Sequence, residues 1–175
     1  MSDPGADSLR AGLAAGRDEA FAELYDRYGE RLYLAALRML GRPEDAEDAV
    51  QDLFAAMARS HARFREVRDL PAYLFASLHR AAARCASRQS RGPRLARSPG
   101  DPPEPAEPAS FEDPRADRLE RALAALPAEQ REAIAMKIHG DLTFAQIGQA
   151  MGVSPNTAAS RYRHAIEKLR AALED

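Results

Sequence analysis

Between Glu19 and Met39 apolar side chains return every three or four residues, at Phe21, Leu24, Tyr28, Leu32, Ala35 and Met39, so a helix here carries one apolar stripe. Gly41 follows, where a left-handed residue closes a helix, and Pro43 suits the first turn of the next. That second helix is expected over 43–60, with Ala46, Ala49, Val50, Leu53, Phe54 and Met57 on its buried side. A less regular stretch, His61 to Asp69, leads to a third helix from Pro71 to about Gln89, whose apolar side is Leu74, Leu78, Ala81, Ala82 and Cys85. Further helical patterns cover about 118–125, 128–139, 143–151 and 155–173, punctuated by Pro127, Gly140 and Gly152. β-Branched residues are scarce and no segment reads as a strand, so the fold class is all-α.

Seven of the twelve prolines fall between Gly92 and Arg118, a composition that holds neither helix nor core. The expected organisation is therefore a helical domain over 15–91, a proline-rich linker over 92–117 and a second helical domain over 118–175. With 175 residues, 45% of them apolar, the chain has enough material for two small cores. No apolar run is long enough to span a bilayer, and the N-terminus lacks the pattern of a secretory signal, so a cytoplasmic location without membrane insertion is expected. The single cysteine, Cys85, forms no internal disulfide and reads as a small core residue.

A net charge of −2 argues at first against a polyanionic partner, but the distribution reverses that inference. From Leu70 to Gly100 there is no Asp or Glu, while Arg80, Arg84, Arg88, Arg91, Arg94 and Arg97 all lie there. Between Pro43 and Ala58 stand Glu44, Asp45, Glu47, Asp48 and Asp52 without a Lys or Arg. One acidic and one basic patch suit a protein with two kinds of partner.

The sharpest signal is LTFAQIGQAMGVSPNTAASRYRHAIEKLR. Thr143 and Gln146 have capping-box spacing, Ala145 is small where two helices cross, and Ile147 and Met151 face inward. Gly152 supplies a left-handed turn, Val153 plugs the core, Ser154 caps the next helix and Pro155 opens it. This is the order of a helix-turn-helix that projects its second helix into the major groove. That helix offers Asn156, Thr157, Ser160, Arg161, Arg163 and His164; Asn suits adenine, Arg suits guanine, and Ser or Thr suits bases or phosphates.

The segment from Leu126 to Arg170 resembles domain four of the extracytoplasmic-function (ECF) class of bacterial sigma factors, and Phe21 to Arg59 resembles the start of their domain two. The resemblance implies partners for each patch. Domain four would read the minus-35 promoter element and dock on the flap of the polymerase beta subunit. Ser160, Arg163 and His164 would read bases, with Asn156 and Arg161 at the backbone. Glu47, Asp48, Gln51 and Asp52 match the segment that grips the clamp helices of the beta-prime subunit. The stretch 61–69 matches the loop that captures a flipped minus-10 base, which makes Arg63, Phe64, Arg65, Tyr73, Arg80, Arg84 and Arg88 the minus-10 candidates, with Phe64 and Tyr73 for stacking. An anti-sigma factor or other inhibitory regulator is a further partner that the family implies.

The sequence also departs from the family. It has no tryptophan, where the family usually places one near Met57, and it has His79 and Arg80 in place of an Arg-Asn pair and Arg84 in place of an acidic residue. A rival reading is a dimeric helix-turn-helix regulator that works without core polymerase; the acidic second helix and basic third helix favour the sigma reading. A helical enzyme is a second rival. His61, His79, His139 and His164 are scattered, and no nucleophile, base and orienting group occur together, so neither catalysis, a metal nor a cofactor is expected.

Overall fold

The computed structural model describes residues 4–91 and 114–174. The stretch 92–113, most of the expected linker, lies outside the described residues. Among those described there are helices and no strand.

In the N-terminal unit, α1 spans Pro4–Ala14, α2 Asp18–Leu40, α3 Pro43–Arg59 and α4 Leu70–Arg91, with a 3-10 turn at His61–Arg65 between α3 and α4. The stripes read from the sequence form its core: Leu24, Leu32 and Ala35 of α2, Leu53 and Met57 of α3, and Leu74, Leu78 and Cys85 of α4 are buried. Gly41 closes α2 with φ 77°, its N–H donating to Leu37 O at 2.8 Å. Met57 is a core side chain.

Helix α1 was not expected, because Pro4, Gly5 and Gly12 weaken the local helical preference. Tertiary packing overrides that weakness. Leu9 and Leu13 are buried against α2 and the 3-10 turn. Arg10 donates to Val67 O at 3.2 Å, and His61 Nδ1 donates to Ala14 O at 3.1 Å.

In the C-terminal unit, α5 spans Pro114–Ala124, α6 Ala128–Ile138, α7 Phe144–Met151 and α8 Pro155–Glu174. Helix α5 opens at Pro114 rather than near Arg118, since proline is well suited to a first helical turn; the linker reading of 92–117 was too long. Leu123, Leu126, Ile134, Ala165 and Leu169 form a small core of this unit.

The two units pack on one another. Helix α6 lies on α2 and α7 lies on α4. Ala135, Met136, Leu142, Ile147 and Ala158 join the same buried cluster as Leu32, Leu74 and Phe75. Gly140 makes this closeness possible: a Cβ there would stand 3.1 Å from the Phe75 ring and 2.5 Å from Met136 O. Polar contacts rim the seam. Arg38 clamps the Glu120 carboxylate with two hydrogen bonds, Arg31 Nε donates to His139 O at 2.7 Å, and His79 Nε2 donates to Glu132 at 3.2 Å.

Candidate nucleic-acid and protein interfaces

The helix-turn-helix is built from paired caps. Thr143 Oγ1 accepts from Gln146 N at 3.3 Å, while Gln146 Oε1 accepts from Thr143 N at 2.7 Å, so two backbone donors at the start of the helix are satisfied reciprocally. Gly152 ends α7 with φ 68°, a left-handed conformation that costs glycine little. Ser154 Oγ then accepts from Thr157 N at 3.1 Å and caps α8, which opens at Pro155.

The close crossing differs from expectation. Ala145 is exposed, and the small residue at the turn is Gly148, where a Cβ would stand 2.7 Å from Val153 O. Val153 N donates to Gly148 O at 2.8 Å, so the chain folds back onto α7 where only a hydrogen fits. Phe144 and Tyr162, with ring centroids 5.6 Å apart, seat α7 on α8.

Helix α8 divides cleanly into two sides. Ala158, Ala165 and Leu169 are buried, while Asn156, Thr157, Arg163 and His164 are exposed and Ser160 is half-buried beside them. At 3.6 residues per turn, these five polar positions fall within roughly 120° of one another, opposite the buried three. Arg161 lies at the edge of the polar face and leans 3.9 Å from Glu129 of α6. The Thr157 hydroxyl lies 2.8 Å from Ser154 Oγ and is engaged with the cap.

On α3, Glu47, Asp48 and Gln51 are exposed on one side and Asp52 is half-buried. Asp52 accepts from Arg88 at 2.8 Å, which joins an acidic and a basic candidate in one ion pair. The hydrogen bond from Arg88 to Asp52 raises the guanidinium pKa further. Arg88 is therefore turned toward α3. Arg80 and Arg84 are exposed on the open side of α4, Arg80 donating to Ser77 Oγ at 2.8 Å.

Arg63 and Arg65 are exposed on the 3-10 turn, but Phe64 between them is fully buried. Its ring packs edge-on to Phe21 at 6.1 Å and Tyr73 at 5.5 Å. The reading of Phe64 as a stacking platform is corrected accordingly: the ring is fully buried among core neighbours, and no face is open to a base. Tyr73 keeps partial exposure.

Asp69 was not singled out by sequence reading, yet it makes two contacts. Its Oδ1 accepts from Ala72 N at 2.9 Å and caps α4, while its Oδ2 accepts from Gln146 Nε2 at 2.5 Å. The first role is legible from an acidic residue just ahead of Leu-Pro; the second is a tertiary contact with no local signal. Among the described residues, no group of three His, Cys, Asp or Glu side chains is placed to hold a metal ion, and no helix is long and apolar enough to cross a membrane.

A family model for sigma-70 region 2 matches residues 24–92, and one for sigma-70 region 4 matches residues 116–169. The ECF RNA polymerase sigma factor SigK of Mycobacterium tuberculosis (strain ATCC 25618 / H37Rv) is 30% identical over 176 residues, covering 96% of this chain and 93% of that relative. SigK of Mycolicibacterium vanbaalenii is 31% identical over 173 residues, covering 95% and 88%. CnrH, solved in complex with the cytosolic domain of CnrY, superposes with TM-score 0.68 at 24% identity and 95% coverage of both chains. The sigma factor RpoE from Bartonella quintana, solved with the anti-sigma factor NepR, superposes with TM-score 0.62 at 23% identity, covering 88% of this chain and 96% of that one. These two likenesses concern the fold. With both sigma-70 regions matched and a relative 30% identical along nearly its whole length, the chain belongs to the ECF class of the bacterial sigma-70 family and is an RNA polymerase sigma factor.

Proposed function

We propose that the two units divide the work of promoter recognition between them. The exposed Glu47, Asp48 and Gln51 of α3 meet a basic surface of core polymerase, with Asp52 at the edge of that contact. Arg63, Arg65, Tyr73, Arg80 and Arg84 border the opened minus-10 strand, where cationic side chains follow phosphates and an aromatic offers a stacking surface. Helix α8 enters the major groove at the minus-35 element, with Ser160, Arg163 and His164 at base edges and Asn156 and Arg161 at the backbone. Arg88, held by Asp52, and Phe64, held in the core, stand outside this assignment.

The observation that carries this reading is the two-sided α8: a capped helix that buries Ala158, Ala165 and Leu169 on one side and exposes Asn156, Thr157, Arg163 and His164 on the other. The chain acts by binding and does no covalent chemistry; its place of work is the cytoplasm. RpoE of Bartonella quintana is held by an anti-sigma factor, which supports an inhibitory protein partner here as well.

The test is transcription in vitro with purified core polymerase and mapping of the start sites. One-to-one binding to core and initiation at defined sites are expected. A chain that binds palindromic DNA as a dimer and ignores core overturns the proposal.

A further inference from the structure

Arg63 and Arg65 stand exposed on a five-residue 3-10 turn, whose hydrogen bonds are poorer than those of an α-helix, so outside contacts decide where the two guanidinium groups point. Phe64 anchors the turn to Phe21 and Tyr73. The remaining anchors come from α1 and the turn that follows it, and they fall on either side of the two cations. Ahead of them, His61 Nδ1 donates to Ala14 O at 3.1 Å, and its ring lies against Gly16, where a Cβ would stand 3.3 Å from it. Beyond them, Arg10 donates to Val67 O at 3.2 Å, and its other terminal nitrogen is held by Asp7 at 2.8 Å. Helix α1 is in turn fixed to α2: a Cβ on Gly12 would stand 2.8 Å from Ala20 Cβ, so the two helices meet where no side chain fits. Arg10 is the single cation of α1, and both of its terminal nitrogens are engaged, so this helix backs the loop and offers no cationic surface of its own.

We infer that α1 positions the minus-10 loop: Arg10 and His61, without touching DNA, fix the two ends of the segment that carries Arg63 and Arg65, and so set the geometry in which an unpaired base is selected. This rests on the role proposed above for those two arginines. A loop that binds gains precision from the rigid element behind it, and a side chain that must meet a base or phosphate loses selectivity once its backbone can shift. Arg10 and His61 are therefore positioning residues. Asp7 shares the role by holding the Arg10 guanidinium in the orientation that reaches Val67 O. The acidic face of α3 and the polar face of α8 lie on other elements, so a change at Arg10 separates base selection from core contact and from the minus-35 element.

The test is transcription in vitro by the full-length chain with core polymerase, from a promoter library randomised across the minus-10 element, read as the preference among the four bases at each position. A preference is a ratio of rates on one enzyme preparation, so a loss of folded or core-bound protein alone leaves it unmoved. Arg10→Met is expected to flatten the preference at one minus-10 position by about three- to tenfold, the factor carried by one hydrogen bond, with association with core unchanged. Arg10→Lys, which keeps a donor, is expected to recover part of the loss, and Asp7→Asn to act in the same direction more weakly. His61→Phe keeps a ring against Gly16, removes the donor to Ala14 O and tests the other end of the segment independently. Flattening by either Arg10→Met or His61→Phe supports the inference, and wild-type preferences in both overturn it. Arg63→Ala and Arg65→Ala in the same assay separate the two levels of the argument. If these flatten a preference while Arg10→Met and His61→Phe do not, the positioning role alone falls. If all four leave every preference unchanged, the loop does not read the minus-10 element, and the function assigned to its arginines falls together with the inference.

Discussion

The Asp69 carboxylate accepts from Gln146 across 77 positions of sequence, and with its other oxygen it caps α4. Gln146 in turn completes the capping box of α7 through Thr143. One amide side chain thus serves the start of the helix-turn-helix and the seam between the units.

Thr143→Ala is expected to destabilise the C-terminal unit by about 1 kcal/mol, the usual cost of an N-cap oxygen. Gln146→Ala should cost a similar amount, and the double variant less than the sum, because the two residues share their hydrogen bonds. Urea denaturation of the three variants checks this; strict additivity would show that the box is not a unit.

Arg163→Ala is expected to relax preference at one minus-35 position by about 1–3 kcal/mol, the discrimination of a bidentate contact to guanine. Arg161→Ala, at the edge of the polar face and leaning toward Glu129, should weaken binding with little change in preference. Initiation from a randomised promoter library distinguishes the two, and an unchanged preference for Arg163→Ala removes that residue from the readout.

Reversal of charge at Asp48 should slow association with core by about tenfold or less, with the deficit shrinking as salt rises. Asp52→Asn should act more weakly, since that carboxylate is already engaged by Arg88. Stopped-flow mixing at two ionic strengths measures both; equal effects would place Asp52 at the centre of the contact.

Phe64→Ala is expected to cost about 3–5 kcal/mol of stability in the N-terminal unit, as for a fully buried aromatic. Phe64→Leu, which keeps most of the volume, should retain promoter opening. A stable Phe64→Ala protein that fails only in opening would restore the ring to a role at the DNA.

His139 sits half-buried at the seam. Burial first, and then the nearby Arg38 and Arg31 charges, hold its pKa below the ordinary value. The folded chain therefore binds fewer protons than the unfolded one, and stability falls as pH drops from about 6.5 toward the depressed folded value, with no effect from this group above that window. Denaturation midpoints between pH 7.5 and 5.5 should fall more steeply for wild type than for His139→Gln. Parallel slopes would show that His139 contributes nothing.

Periodicity was enough to place α2, α3 and α4, because each buries a continuous stripe against its neighbours, and Gly41 and Pro43 marked the break between the first two through backbone conformation alone. The helix-turn-helix was legible for the same reason: caps and turns are local. Helix α1 was not, since Leu9 and Leu13 give too short a pattern beside Gly5 and Gly12, and it is packing that holds it. Phe64 and Ala145 were misplaced because type and spacing do not say which side of a turn faces inward; the role near Ala145 belongs to Gly148, whose missing side chain is its contribution. The seam was invisible, since charge complementarity between Arg38 and Glu120, 82 residues apart, has no sequence signature.

Helix α1 acts as a strut for the 3-10 turn, and it lies wholly upstream of the matched segment 24–92. A fragment trimmed to that segment would lose Leu9 and Leu13 from the core cluster and Phe21 from beside Phe64, together with the Arg10 donor to Val67 O. Phe64 would keep Tyr73 but not Phe21, and Val67 O would be without its Arg10 donor. The frontier drawn by family likeness is thus not the frontier of cooperative folding, and a minimal N-terminal module has to begin ahead of α1.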